Sequence, residues 1–362
     1  MSFRSIFRAF FSLLLALLLG MGVWAQGGFQ PGDAPKPGEP TDAKARKTYA
    51  SALDWERHRS YDAAISDFRK ANKQDGSKCL DCLHNAYRLA VKLGAYKDAV
   101  EIGREWITAA QTDADKGIAH FLLGSALLEQ SIQSKKHEAL AESAQELKLA
   151  LALDPKRSLV HYRLGSALAW LQQDDAARAE FQKFLDEDRK NPNLHPRAER
   201  YLDRIDLARA RMVPPFTVTT LDGQRVSMDG LAGKVVLIDF WATWCGPCVR
   251  AVPHIRQIAK KFEGQPFVVL SINLDTDENK WREFVDKNNM TWMQAHDTGF
   301  NGRIPAQFSV NAIPATFTID ADGVLEDQHV GDAEIEGKIK KLVAQAAAHK
   351  PVTPVSENAA EN

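Results

Sequence analysis

Apolar and polar positions follow two regimes along this chain. From Asp42 to about Met212 the pattern is helical throughout, with no convincing strand. From Val213 onward short apolar runs alternate with helical stretches. Val235–Trp241 and Phe267–Asn273 are unbroken apolar runs that predict buried strands. Val249–Phe262 and Glu278–Asn289 predict helices, the second with Trp281, Phe284 and Val285 on one face. Phe216–Thr220 and Gln224–Met228 flank Leu221-Asp222-Gly223, an Asp-Gly hairpin signal. Thr316–Asp320 and Val324–Val330 form a second hairpin about Ala321-Asp322-Gly323, and Ala333–Ala348 a last helix. Pro253 predicts a kink in the helix that contains it. Residues 290–312 carry no assigned element.

The ends read differently. Arg4 and Arg8 precede an apolar run, Ala9–Val23, and Val23-Trp24-Ala25 fits a small-residue cleavage site. Residues 1–25 are therefore expected to be a signal peptide, with an uncleaved membrane anchor as the alternative. No cysteine follows the cleavage site to carry a lipid. Residues 26–41, with Gly27-Gly28 and four prolines, read as a flexible linker. Residues 349–362 read as a disordered tail.

The helical half repeats itself. His120–Leu127 recurs as His161–Leu168, and Tyr61–Ile65 as Tyr96–Val100. An insertion over Gln130–His137 accounts for the longer spacing of the first pair. Gly124 and Gly165 leave room for close helix approach, and Ala64/Phe68 and Ala177/Phe181 mark the second helices. These features resemble tetratricopeptide repeats, about four of them, with the second (Leu83–Thr108) degenerate. Arg197–Arg211 reads as a charged helix capping the stack. The resemblance implies an extended surface for a protein or peptide ligand, without naming the residues that would contact it.

Composition narrows the chemistry. A chain of 362 residues with a formal net charge of −1 has no strong field and no basic run for nucleic acid. All four cysteines fall in two CxxC pairs, Cys79/Cys82 and Cys245/Cys248. For the first pair a structural disulfide is the leading reading and a second redox pair the other. A haem attachment site would need His immediately after the second cysteine, where Leu83 stands; His84 leaves zinc only a remote case.

The second pair lies in Trp244-Cys245-Gly246-Pro247-Cys248, after a strand and before a helix. A cysteine at a helix N-terminus faces unpaired N–H groups and the positive end of the dipole, which favour the thiolate that attacks disulfides. Pro247, without an N–H, suits the first helical turn. No further His or Cys ligands of suitable spacing accompany the pair, so no metal site is expected, and no cofactor.

With Val236–Trp241, Pro253 and Ala312-Ile313-Pro314-Ala315-Thr316, this motif resembles the exported TlpA/ResA-like thiol–disulfide oxidoreductases of the thioredoxin fold. The fold class expected is thus multidomain, an all-α tetratricopeptide-like unit (42–212) followed by an α/β thioredoxin fold with an N-terminal β-hairpin (213–348). The resemblance makes Cys245 the exposed nucleophile and Cys248 the shielded resolving thiol. It makes Ile313-Pro314 a cis-proline loop facing them, whose Ile313 backbone could pair with substrate. Asp239, in an apolar strand, is the candidate proton acceptor for the resolving thiol; an Asp merely capped by donors is the alternative. A glutamate that relatives often carry after the second cysteine is replaced by Ala251.

Gly-Pro between the cysteines is the choice of thioredoxin, near about −270 mV rather than the about −120 mV of a strong oxidase, so reduction is the expected direction. The expected partners are protein disulfides and a membrane electron donor, in a bacterial periplasm. A repeat scaffold whose thioredoxin fold is mainly structural is the competing reading. A peroxidase fits poorly, since Thr243 stands two residues before Cys245 and a CxxC is present.

Overall fold

The structure, a computed structural model, describes residues 34–188, 191, 193–331 and 335–348. The expected leader (1–25) and tail (349–362) lie outside the described residues, as does the linker up to residue 33. The chain forms two compact units, one within Met1–Arg189 and one within Lys190–Asn362.

The first unit is a run of helix hairpins: α1 (Ala43–Arg57) with α2 (Tyr61–Gln74), α3 (Leu80–Lys92) with α4 (Tyr96–Ala109), α5 (Asp113–Ser134) with α6 (Leu140–Leu153), and α7 (Ser158–Trp170) with α8 (Asp174–Glu187). Glycine sets how closely the later pairs approach. A Cβ at Gly124 would meet the Leu147 side chain at 2.8 Å, and one at Gly165 would meet the Phe181 ring at 2.9 Å. Equivalent polar clasps tie both pairs: His120 Nδ1 to Glu146 Oε2 and His161 Nδ1 to Glu180 Oε2, each at 2.6 Å. The expected insertion appears as a lengthened helix. α5 has 22 residues where α7 has 13, and it stops at Lys135, whose φ of 55° is left-handed. The second repeat is a regular hairpin despite its weak sequence match.

Two expectations need correction here. The end of the supposed flexible linker is held to the repeat unit. Asp75 Oδ1 accepts from the Thr41 N–H (2.7 Å), the Thr41 hydroxyl (3.0 Å) and the Asp42 N–H (2.8 Å). Asp42 in turn caps α1. The charged stretch near Arg197 does not close the stack as one helix. It breaks into α9 (His195–Asp203) and a 3-10 turn, Ile205–Arg209, both within the second unit. The cause is one buried guanidinium: Arg197 donates to the Val213 carbonyl (2.7 Å) and the Asp229 carboxylate (3.1–3.2 Å), and Arg200 reaches the same carboxylate. Nearly full burial makes that pairing obligatory, since an unpaired guanidinium there would cost several kcal/mol.

The second unit opens with the expected hairpin, β1 (Thr217–Thr219) antiparallel to β2 (Arg225–Ser227). A five-stranded mixed sheet follows: β3 (Val235–Trp241), β4 (Phe267–Asn273), β5 (Met293–His296), β6 (Ala315–Ile319) and β7 (Leu325–Val330), in the order β5-β4-β3-β6-β7. β3 is central, parallel to β4 and antiparallel to β6, which is why every residue of it is buried. Helices α10 (Gly246–Lys261), α11 (Glu278–Lys287), α12 (Arg303–Gln307) and α13 (Glu336–Ala348) connect or flank the strands. β5 and α12 fall in the stretch left unassigned by pattern. Side chains alternate across β3. Val235 and Leu237 face α10 and α13 through Ile255, Ile258, Ile339 and Val343. Phe240 faces the other way, onto Phe308 and Phe317 at 5.6 Å each.

Candidate active site

The alternation that buries Leu237 beneath α10 also carries Asp239 to that face, two residues nearer the strand's end. The chain leaves β3 at Trp241, turns through Ala242–Trp244, and enters α10 with Cys245 as its N-cap. Cys245 Sγ accepts the Cys248 N–H at 3.2 Å, so sulfur occupies the place a capping oxygen would take. The two cysteines are joined. Both are well covered, Cys245 at 5% and Cys248 at 3% exposure, so the contrast between an open first and a shielded second cysteine is small in the oxidised state. Trp244 beside them is 62% exposed, edge-on to Phe300, while Trp241 is buried.

The turn is anchored from β4. Asp275 accepts from the Thr243 N–H (2.9 Å) and the Thr243 hydroxyl (2.8 Å), and Asn273 Nδ2 donates to the same carboxylate (2.7 Å). The Leu274 N–H closes the set on the Trp241 carbonyl at 2.8 Å. These bonds fix the residues immediately before Cys245 on a buried support.

Strand register supplies the opposite wall. Ala315 pairs with Phe240, so Pro314 stands at the strand end from which the Cys245 turn departs. The Ile313–Pro314 bond is cis, and the Pro314 carbonyl accepts the Gly331 N–H at 2.9 Å. Pro314 is buried and Ile313 half-buried.

Asp239 lies in a polar row crossing the sheet. Its registered neighbours are Ser271 on β4 and Thr316 on β6, and Gln294 on β5 follows Ser271. Ser271 Oγ donates to Asp239 Oδ2 at 3.1 Å and accepts from Trp292 Nε1 at 2.8 Å. Burial pushes the Asp239 carboxyl up to about 7, and the Ser271 hydrogen bond opposes that rise without cancelling it. A carboxyl balanced near neutrality can take a proton from a thiol or return one.

Pattern reading did not pick out Ser271, Trp292 or Asp275. Ser271 and Trp292 carry little signal, since a lone Ser in an apolar strand has many explanations. Asp275 had a trace: an acidic residue just past the end of a buried strand, where site residues of parallel sheets gather.

A family profile described as Redoxin matches residues 208–345. The thiol-disulfide oxidoreductase ResA of Bacillus thuringiensis (strain Al Hakam) is 28% identical over 145 residues, 39% of this chain and 83% of that protein. The thioredoxin-like protein YneN of Bacillus subtilis (strain 168) is 31% identical over 131 residues, 35% of this chain and 74% of that protein. The chain belongs to the TlpA/ResA-like thioredoxin family. It is a thiol–disulfide oxidoreductase by that membership, with a helical, repeat-like unit preceding the thioredoxin-like fold. Among solved structures, a thiol-disulfide oxidoreductase from Bacteroides fragilis NCTC 9343 aligns at 24% identity, covering 36% of this chain and 98% of that one, with a TM-score of 0.34.

Proposed function

We propose that the chain reduces disulfides of exported proteins, with Cys245 attacking and Cys248 resolving. The observation that carries this reading is the capped Cys245–Cys248 pair above a strand that bears Asp239. In the reduced protein the N–H groups of the first turn of α10 stabilise negative charge on Cys245 sulfur. The Cys245 thiolate attacks a client disulfide, expels one client thiolate and forms a mixed disulfide. Asp239, as carboxylate, then takes the Cys248 proton. The Cys248 thiolate attacks Cys245 sulfur, the client leaves as a dithiol, and the Cys245–Cys248 bond is restored. The cis Ile313–Pro314 turn offers the Ile313 backbone to an extended client strand, and Trp244 offers it an exposed apolar face.

The reading extends to the whole chain: an address outside the cytoplasm reached through residues 1–25, a membrane electron donor that re-reduces the pair, and helical repeats that recruit protein clients. Stacked helix hairpins suit that last role because each adds contact area along one direction. The test is insulin reduction by the full chain with a dithiol supply. Precipitation of the freed insulin chain is expected with the native protein and not with Cys245→Ser. Equal rates for the two would refute the assignment.

A further inference from the structure

The second CxxC pair does not enter that mechanism, yet its geometry repeats the first. Cys79 is the N-cap of α3, and its sulfur accepts the Cys82 N–H at 3.2 Å, the distance found at Cys245. Cα separations are 5.3 and 5.2 Å in the two pairs. Two features argue against a plain staple. The cross-link closes a loop with a sequence separation of only 3, so it removes little entropy from the unfolded chain. The N-terminus of a 13-residue helix stabilises a Cys79 thiolate, which favours the reduced form of the couple.

The surroundings differ. Cys79 is 1% exposed and Cys82 fully buried. The segment before α1 lies over them: the Gly38 carbonyl oxygen is 3.6 Å from Cys79 Sγ and also accepts the Asp81 N–H at 3.0 Å. A carbonyl oxygen facing sulfur favours S–H and disfavours S⁻, so this strap opposes the helix N-terminus while it is seated. The strap is held further along by Thr41 and Asp42 on Asp75. Gly38 itself has φ +89°, a conformation that side chains rarely adopt.

We propose that Cys79–Cys82 is a second exchangeable dithiol–disulfide couple, shielded by the strap around Gly38. A dithiol reductant, either a small molecule or a reduced CxxC protein, attacks one sulfur and breaks the Cys79–Cys82 bond. A mixed disulfide forms and the other cysteine leaves as thiolate. The reductant's second thiol then attacks its own sulfur in the mixed disulfide and releases the remaining cysteine. Two electrons pass to Cys79/Cys82, the reductant becomes a disulfide, and its two protons end on the thiols. This step stands whichever direction the Cys245–Cys248 pair works in.

The test uses the oxidised full chain in native buffer. It is exposed to dithiothreitol for increasing times, quenched with an alkylating reagent, and mapped by mass spectrometry peptide by peptide. Label is expected on Cys79 and Cys82 while circular dichroism still reports a folded chain, at least about tenfold more slowly than on Cys245 and Cys248. Gly38→Ala should speed labelling of Cys79 and Cys82 several-fold and leave Cys245 and Cys248 unchanged. Label on Cys79 and Cys82 only at urea concentrations that unfold the helical unit would overturn the proposal and make the bond a staple. An unchanged rate in a folded Gly38→Ala protein would overturn the shielding. The wild-type measurement decides the main point even if that variant does not fold.

Discussion

In the helical unit and in the α/β unit a CxxC pair occupies the first turn of a helix, and in both an N–H three residues on meets the capping sulfur at 3.2 Å. The settings diverge from there. Around Cys245 the chain places an exposed Trp244, a cis-proline turn and a buried carboxyl balanced near neutrality. Around Cys79 it places a covering carbonyl and a fully buried partner cysteine. The helix N-terminus lowers the energy of a thiolate in either place. On the mechanism proposed above, the exposed aromatic neighbour and the buried carboxyl are what suit the Cys245 setting to client turnover.

The comparison can be broken most directly at the sulfurs. Cys245→Ser should lower insulin reduction by at least about a hundredfold, because the attacking thiol of the proposed cycle is lost and the buried Cys248 alone cannot complete it. Replacing both Cys79 and Cys82 by Ser should change the same rate by less than about twofold. Comparable losses from the two changes would mean that the pairs act in series.

Asp239→Asn comes next, with an expected loss of about ten- to a hundredfold in the resolving step near pH 7. The native rate should rise as pH passes through about 7, where the carboxyl gives up its proton, and the Asn variant should lack that rise. The stability consequence has a definite sign. The folded carboxyl holds its proton up to about 7, whereas an unfolded aspartate releases it near 3.9. Between those values the folded chain binds the extra proton, so this stabilisation is full below the unfolded pKa and lost as pH rises through the folded one. Asp239→Asn should therefore raise Tm more at pH 8 than at pH 5. A shift independent of pH would remove Asp239 from that role.

Asp275→Ala should matter less. Thr243 loses two hydrogen bonds, which costs about 1–3 kcal/mol of stability and several-fold in turnover through a looser Cys245 turn. The smallest effect is expected from Ser271→Ala. Losing its hydroxyl donor should move the pH inflection upward while the plateau rate changes little.

Much of the α/β unit is legible in the amino-acid sequence. β3, α10 and the two hairpins follow from apolar runs and Asp-Gly turns, Cys245 and Cys248 from a CxxC between a strand and a helix, and Asp239 from a carboxylate in an apolar run, whereas Ile313 and Pro314 were expected from the family resemblance alone. The surroundings of Asp239 were not legible, because Ser271 meets it through strand register rather than sequence spacing, and Trp292 is linked to it only through the Ser271 hydroxyl. Arg197 was misassigned for a related reason. Its charge suggested solvent, but a carboxylate 32 residues on, Asp229, pairs with it and draws α9 into the second unit. Residues 34–41 read as linker from their prolines and glycine, while the donors that pin them, the Thr41 and Asp42 N–H groups, exist in every sequence.

The most direct measurement is the reduction potential of Cys245–Cys248 in the full chain, by equilibration with dithiothreitol or glutathione buffers and peptide-resolved alkylation. The account predicts a value near the thioredoxin end, about −270 mV, as befits a reductase. A value near the about −120 mV of a strong oxidase would contradict it and make this protein a source of disulfides.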